Sequence, residues 1–140
     1  LLDEMRRSQL LDYPLVLLVL DIDNFKQVND TYGHLIGDRV LQGMGKTLKK
    51  TLRRDDIVAR YGGEEFVVLI PHAPLGQGIQ IAEKIRAALA AMSVPGAPAV
   101  TVSVGCTVSQ PYELPETLFK RADDSLYAAK REGKNRVCVR

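Results

Sequence analysis

The stretch that decides the fold is "DIVARYGGEEFVVLI", Asp56–Ile70. Two runs of strand composition, "DIVARY" and "EFVVLI", are joined by Gly62-Gly63, and a Gly-Gly pair between such runs predicts a β-hairpin. The turn accounts for the glycines but not for Glu64 and Glu65, two like charges set side by side where an apolar strand begins. Either the pair is a solvated turn whose repulsion is harmless, or it faces a cation or a basic group. Gly62 and Gly63 also leave room for a bulky group to approach the backbone.

Upstream, "LVLLVLD" (15–21) is continuously apolar, the pattern of a strand covered on both faces. "NFKQVNDTYG" reads as a short helix closed by Gly33, and Asp38 as the N-cap of a second helix carrying Leu41, Met44, Leu48 and Leu52 on one face. The first dozen residues place Leu2, Met5 and Gln9/Leu10 at loosely helical spacing, ended by Pro14. Downstream, Pro71 and Pro74 break the chain. A helix follows with Ile81, Ile85, Leu89 and Met92 inward, then the loop "SVPGAPA" and the strand "VTVSVGCTV". Pro115 opens a last helix with Leu118, Ala122, Leu126 and Ala129 on its inner stripe; Gly133 stops it, and "RVCVR" closes as a strand. Helices alternating with strands around one hairpin predict an α/β sandwich, a mixed sheet covered by helices.

"GMGKT" (43–47) resembles a nucleotide P-loop only superficially. The motif needs a further Gly where Val40 stands, and a strand before the loop; here the segment lies within an amphipathic helical pattern.

The chemistry gathers at acids. Asp21 and Asp23 end the buried strand, where open α/β sheets bind ligands, although an Asp there also caps helices. If the hairpin pairs beside that strand, Asp21 converges with Glu64 and Glu65, a set of hard oxygen ligands suited to Mg²⁺ with substrate phosphates. Lys130 and Lys134 lie at the end of the last helix, where the dipole favours cations in any case; the other reading is that they neutralise phosphate oxygens.

The chain has 140 residues, 46% hydrophobic and 26% charged, enough for one domain with one core. A formal net charge of +2 gives no basic face of the kind that grips nucleic acid, and no apolar run is long enough for a membrane span. Cys106 and Cys138 stand alone in strand-like segments and read as reduced, buried thiols. The chain opens on helix-like sequence without Met, which reads as a domain, residues 1–140, cut from a longer protein.

Four segments together resemble the GGDEF-domain family, the diguanylate cyclases. "RYGGEEF" (60–66) is similar to its signature in a Glu-containing form. "DIDNFKQVNDTYGHLIGDRVL" (21–41), "TVSVGCTV" (101–108) and "ADDSLYAAKREGKNRV" (122–137) resemble its metal- and guanine-binding segment, a core strand and the C-terminal signature. The resemblance implies a palm-like fold, similar to nucleotidyl cyclases, with a mainly antiparallel sheet. It implies condensation of two GTP into cyclic di-GMP with release of two pyrophosphates, in a homodimer holding one GTP per subunit.

By the same resemblance Asp21, the Ile22 carbonyl and Glu64 would bind metal, two Mg²⁺ per active site with Mn²⁺ as an alternative. Glu64 and Glu65 would be the catalytic acids. Asn29 and Asp38 would recognise guanine, with Gly62 and Gly63 close to the nucleotide. A carboxylate facing the N1–H and 2-amino edge of guanine would be left unpaired by adenine. Lys26, Lys130 and Lys134 would meet the phosphates; the family often has Arg where Lys134 stands, and Lys keeps the charge without the bidentate fork. Arg53-x-x-Asp56 matches a product-inhibition site for cyclic di-GMP. The family's common opening segment, similar to "DxLTGLxNR", is missing. The resemblance further implies a cytoplasmic domain with an upstream regulatory domain, in a full protein open to membrane anchoring, and no nucleic-acid or direct membrane contact. The rival expectation is a non-catalytic module that binds GTP or cyclic di-GMP as a sensor.

Overall fold

A computed structural model describes residues 2–140; Leu1, the first residue of the expected domain, lies outside them. The chain runs α1 (Leu2–Leu11), β1 (Leu15–Ile22), α2 (Phe25–Tyr32), α3 (His34–Thr51), β2 (Ile57–Tyr61), β3 (Glu65–Pro71), α4 (Leu75–Ala90), β4 (Val102–Val108), α5 (Pro115–Arg131) and β5 (Val137–Val139). The strands form one sheet in the order β2-β3-β1-β4-β5. Every neighbouring pair is antiparallel except β4 and β5, so the sheet is mixed and mainly antiparallel, as expected.

The continuous apolar run is the central strand. Val16, Leu18, Leu20 and Ile22 point to one face, where they meet Val40, Leu41, Met44 and Leu48 of α3 and Ala82, Ile85 and Leu89 of α4. Leu15, Leu17 and Val19 point to the other, against Met5 of α1 and Leu118, Ala122 and Leu126 of α5. Each such fully buried aliphatic side chain contributes about 1.5–3 kcal/mol, and a strand sandwiched this way tolerates no slip in register, since a one-residue shift would exchange its two faces. Pro71 does not break the hairpin strand but ends it, paired with Leu15.

One expectation about helices is corrected. α3 begins at His34, directly after Gly33 (φ 89°), so Asp38 lies inside the helix and is not its N-cap. In α1 the buried residues are Met5 and Ser8, while Leu2 and Leu10 are exposed. The Ser8 hydroxyl donates to the Tyr13 carbonyl at 2.7 Å, which satisfies it inside and fixes the turn into β1. The GMGKT segment lies within α3. Both cysteines are free and buried, and burial pushes the Cys106 thiol up to about 12, which keeps it an inert packing group. No helix among the described residues is long and apolar enough to cross a membrane.

Candidate active site

The sheet register assembles the site. Asp21 on β1 stands opposite Glu65 on β3 and opposite Ser103 on β4, and Glu65 stands opposite Tyr61 on β2. The row Tyr61, Glu65, Asp21, Ser103 therefore crosses four strands, on the side covered by α5. Tyr61 leans on Phe119 of α5, ring centroids 5.4 Å apart. The last turn of α5 sets Lys130 Nζ 3.0 Å from Asp21 Oδ2 and 3.9 Å from Asp23 Oδ1.

The hairpin loop holds three residues: Tyr61 pairs with Glu65, leaving Gly62, Gly63 and Glu64 in the turn, between the two runs read as strands. Gly62 has φ +76°, a left-handed conformation that a side chain would strain. Arg60 closes the loop, donating Nη2 and Nε to the Gly63 carbonyl at 2.7 and 3.2 Å. Glu64 thus sits on the turn and Glu65 opens the strand, so the two carboxylates are presented from different backbone geometries.

All three acids hold protons more tightly than free carboxylates. Burial raises Asp21 even against the attraction of Lys130. Burial, then the Asp21 charge, raise Glu64; Glu65 is raised by burial and then by Asp21, Asp123 and Glu64. Three half-buried carboxylates whose ionisation is disfavoured first by burial and then by neighbouring acids are a standing demand for positive charge. Asp21 Oδ1 is buried and accepts no hydrogen bond. No group of three or more His, Cys, Asp or Glu side chains among the described residues is gathered into a ready metal cage. An unpartnered carboxylate oxygen beside two further acids, short of a full protein ligand set, fits a hard divalent cation that keeps phosphate and water ligands.

These acids open onto a cavity of about 510 Å³ lined by Asp21, Lys26, Asn29, Asp38, Gly63, Glu64 and Glu65, together with Phe25, Leu41 and Arg60. Seven of the residues singled out in the sequence therefore share one wall. Asn29 reaches it because Gly37 on α3 has no side chain: a Cβ there would collide with Asn29 Oδ1. Asp38 is exposed at the wall, not buried. Ile22, Gly62, Lys130 and Lys134 are not on the cavity wall. Ile22 is buried in the core, Lys130 is held on Asp21, and Lys134 Nζ donates to Asn24 Oδ1 at 2.7 Å.

Arg53 and Asp56 lie in the turn between α3 and β2, apart from this cavity. They are closed on each other: the guanidinium reaches Asp56 Oδ1 at 3.0 Å, Asp56 Oδ2 accepts the Arg53 backbone N–H at 2.8 Å, and Arg53 also donates to the Pro71 carbonyl. The sequence reading passed over Arg60, Gly37 and the role of Asp23. Only Asp23 left a trace in the sequence, as the second acid of "DID"; its partners lie near residues 101–103 and at Asn135.

The family model described as diguanylate cyclase, GGDEF domain, matches residues 1–136. The chain belongs to the GGDEF family. This GGDEF domain is 48% identical over 121 residues to "Diguanylate cyclase DgcM" of Escherichia coli (strain K12), covering 86% of this chain and 30% of that protein. It is 49% identical over 128 residues to "Diguanylate cyclase DgcP" of Pseudomonas aeruginosa, covering 89% of this chain and 19% of that protein. It spans, then, under a third of the length of these curated relatives. Among solved structures, the GGDEF domain of DgcB from Caulobacter crescentus, in complex with c-di-GMP, matches at a TM-score of 0.92 and 34% identity, covering 99% of this chain and 85% of that one. The palm-like fold expected from the sequence is thus the fold observed.

Proposed function

We infer that this GGDEF domain is a diguanylate cyclase that condenses two GTP into cyclic di-GMP, as a Mg²⁺-dependent homodimer regulated by further domains of a longer cytoplasmic protein. The observation that carries the reading is the meeting of Asp21, Glu64 and Glu65, with Asp21 Oδ1 unpartnered, on the cavity wall that also carries Asn29 and Asp38. Curated relatives named diguanylate cyclases support the same reading.

Each residue has a task. Asn29 and Asp38 read the guanine edge, with Asp38 accepting from N1–H and the 2-amino group. Lys26, exposed at the mouth, meets the phosphates, and Lys130 and Lys134 stand behind it at the end of α5. Asp21, the Ile22 carbonyl and Glu64 would hold the metal, with Glu65 as support. The cation, when bound, polarises the α-phosphate and steadies the departing pyrophosphate. Glu64, whose proton affinity is raised by burial and by Asp21, accepts the proton of the attacking 3′-hydroxyl. Each 3′-oxygen forms a bond to the α-phosphorus of the partner GTP as that phosphorus loses pyrophosphate; done twice, this closes the ring. One cavity holds half of the reaction, so turnover needs two copies face to face. Arg53 and Asp56 form the product-inhibition site.

The test is incubation with GTP and Mg²⁺, then chromatography for cyclic di-GMP. Product is expected, abolished by a chelator and reduced at least about 100-fold by Glu64→Gln. Tight nucleotide binding without product at high protein concentration would replace this reading with the sensor.

A further inference from the structure

The two aspartates of "DID" have opposite surroundings. Asp21 keeps an oxygen without a hydrogen-bond partner, whereas both oxygens of Asp23 are hydrogen-bonded. Its side chain is 1% exposed. Oδ1 accepts from the Ser103 hydroxyl at 2.6 Å, and Oδ2 accepts from the Thr101 hydroxyl at 2.7 Å and the Asn135 backbone N–H at 3.0 Å. Its own N–H donates to the Thr101 carbonyl at 2.9 Å. One carboxylate therefore ties together the end of β1, the start of β4 and the loop after α5.

That loop needs a tie. Gly133, Lys134 and Asn135 have φ of 129°, 64° and 47°, three successive residues in the left-handed half of backbone space, two of them with side chains. Such a run persists only where the surroundings fix it. From one side Arg86 on α4 donates to Asn135 Oδ1 at 2.9 Å; from the other Asp23 takes the Asn135 N–H. The same loop carries Lys134 onto Asn24 and terminates the helix that holds Lys130 on Asp21.

We propose that Asp23 is a positioning residue: it clamps the 133–135 loop to the end of β1 and so holds Lys130 and Lys134 against the metal-binding acid and the phosphates. It does not line the cavity. Three donors engage both of its oxygens, with Lys130 Nζ a further 3.9 Å from Oδ1, while Asp21 two residues earlier keeps Oδ1 without a hydrogen-bond partner. The functional half of this inference rests on the cyclase reading; the structural half does not.

Asp23→Asn separates the two. It keeps the shape but sets an amide N–H₂ among groups that donate. Hydrogen exchange on the nucleotide-free chain is expected to quicken at least about 10-fold over residues 132–137, because loss of the clamp lets the loop open locally. GTP turnover is expected to show kcat down about 10–100-fold, the usual cost of losing a partner that orients ligating groups, with KM within about threefold. Leu48→Ala, a core variant in the last turn of α3, serves as the control for lost stability. Unchanged exchange over 132–137 overturns the clamp. Faster exchange with kcat no lower than in Leu48→Ala overturns the positioning role, as does a rise in KM at constant kcat. If the unmutated chain makes no cyclic di-GMP, the cyclase reading fails and the exchange measurement still decides the clamp.

Discussion

Gly105 lies on β4 beneath α5, and its replacement by Ala tests how closely that helix must approach the sheet. A Cβ at this position would collide with the Ala122 carbonyl oxygen and lie 2.5 Å from the Leu126 nitrogen and 3.1 Å from its Cα. All three are backbone atoms of α5, so no rotamer change gives relief and the helix must move as a body. Carbon ordinarily approaches backbone oxygen to about 3.3–3.6 Å, which calls for a retreat of about 1 Å. Overpacking of this kind costs about 1–3 kcal/mol. At about 3–4 °C per kcal/mol for a domain of this size, the melting temperature should fall by about 3–12 °C. The displacement runs along α5 to Lys130, now 3.0 Å from Asp21. Misplacement by about 1 Å can cost about 100-fold in rate, so GTP turnover should fall about 10–100-fold. Gly76→Ala is the comparison: it sits in the first turn of α4 with nothing within 4 Å of an added Cβ. It should melt no lower than the parent chain and keep its turnover, since Ala is the better helix former. Thermal melts without nucleotide, followed by chromatographic turnover assays, read both variants. A Gly105→Ala chain that melts within about 1 °C of its parent, with turnover intact, refutes the close approach.

Glu113 accepts Arg121 Nη2 and Nε at 2.7 and 2.8 Å, and this hydrogen-bonded cation holds the carboxyl below its ordinary value of 4.5. A lowered acid contributes stability above its unfolded pKa and loses it as pH falls through the folded one. Glu113→Gln should therefore melt several °C lower at pH 7, with the gap to the parent closing in acid below about pH 4; a gap independent of pH would assign the loss to packing. Arg53→Ala should weaken inhibition by cyclic di-GMP at least about 10-fold, since a charge-assisted guanine contact is worth about 1.5–3 kcal/mol. Progress curves with added product check this, and inhibition at the parent concentration would remove Arg53 from the product site.

Much of this was legible because the strongest local signals agree with the global fold. The apolar run at 15–20 could only be a strand buried on both faces, and the Gly-Gly pair could only be a turn. Once those two strands pair antiparallel in the observed register, Asp21 and Glu65 fall opposite each other. What was not legible depended on groups distant in sequence or on one backbone angle. Asp38 looks like a cap from its neighbours, yet Gly33 bends the chain sharply enough for α3 to start a turn earlier. That Gly62 takes a left-handed angle, with Glu64 carried on the turn beside it, is a matter of backbone geometry that no neighbouring residue states. Lys130 and Lys134 read as cations at a helix end or against phosphate, because nothing nearby in sequence shows that Asp21 and Asn24 hold them. The spacing of Leu2, Met5 and Gln9/Leu10 marks a helix but not its inner face: a Ser8 hydroxyl satisfied by a local carbonyl goes inside while Leu10 is exposed.

The row of side chains across the sheet has a consequence for how the chain acquires activity. Its members come from four strands, and its supports come from further still: the Asn135 to Asp23 hydrogen bond closes a separation of 112 residues. Chains dominated by such distant pairings fold slowly, because loop closure must precede the contacts that reward it. The hairpin, whose strands are adjacent in sequence, can form early, but on its own it sets Glu65 only against Tyr61 and lacks the acid and the cation of the completed site. Asp21 arrives with the central strand, and Lys130 only after the C-terminal helix has docked. On the cyclase reading, a nascent or partly unfolded chain would be silent, and second-messenger output would begin only with the final long-range closure.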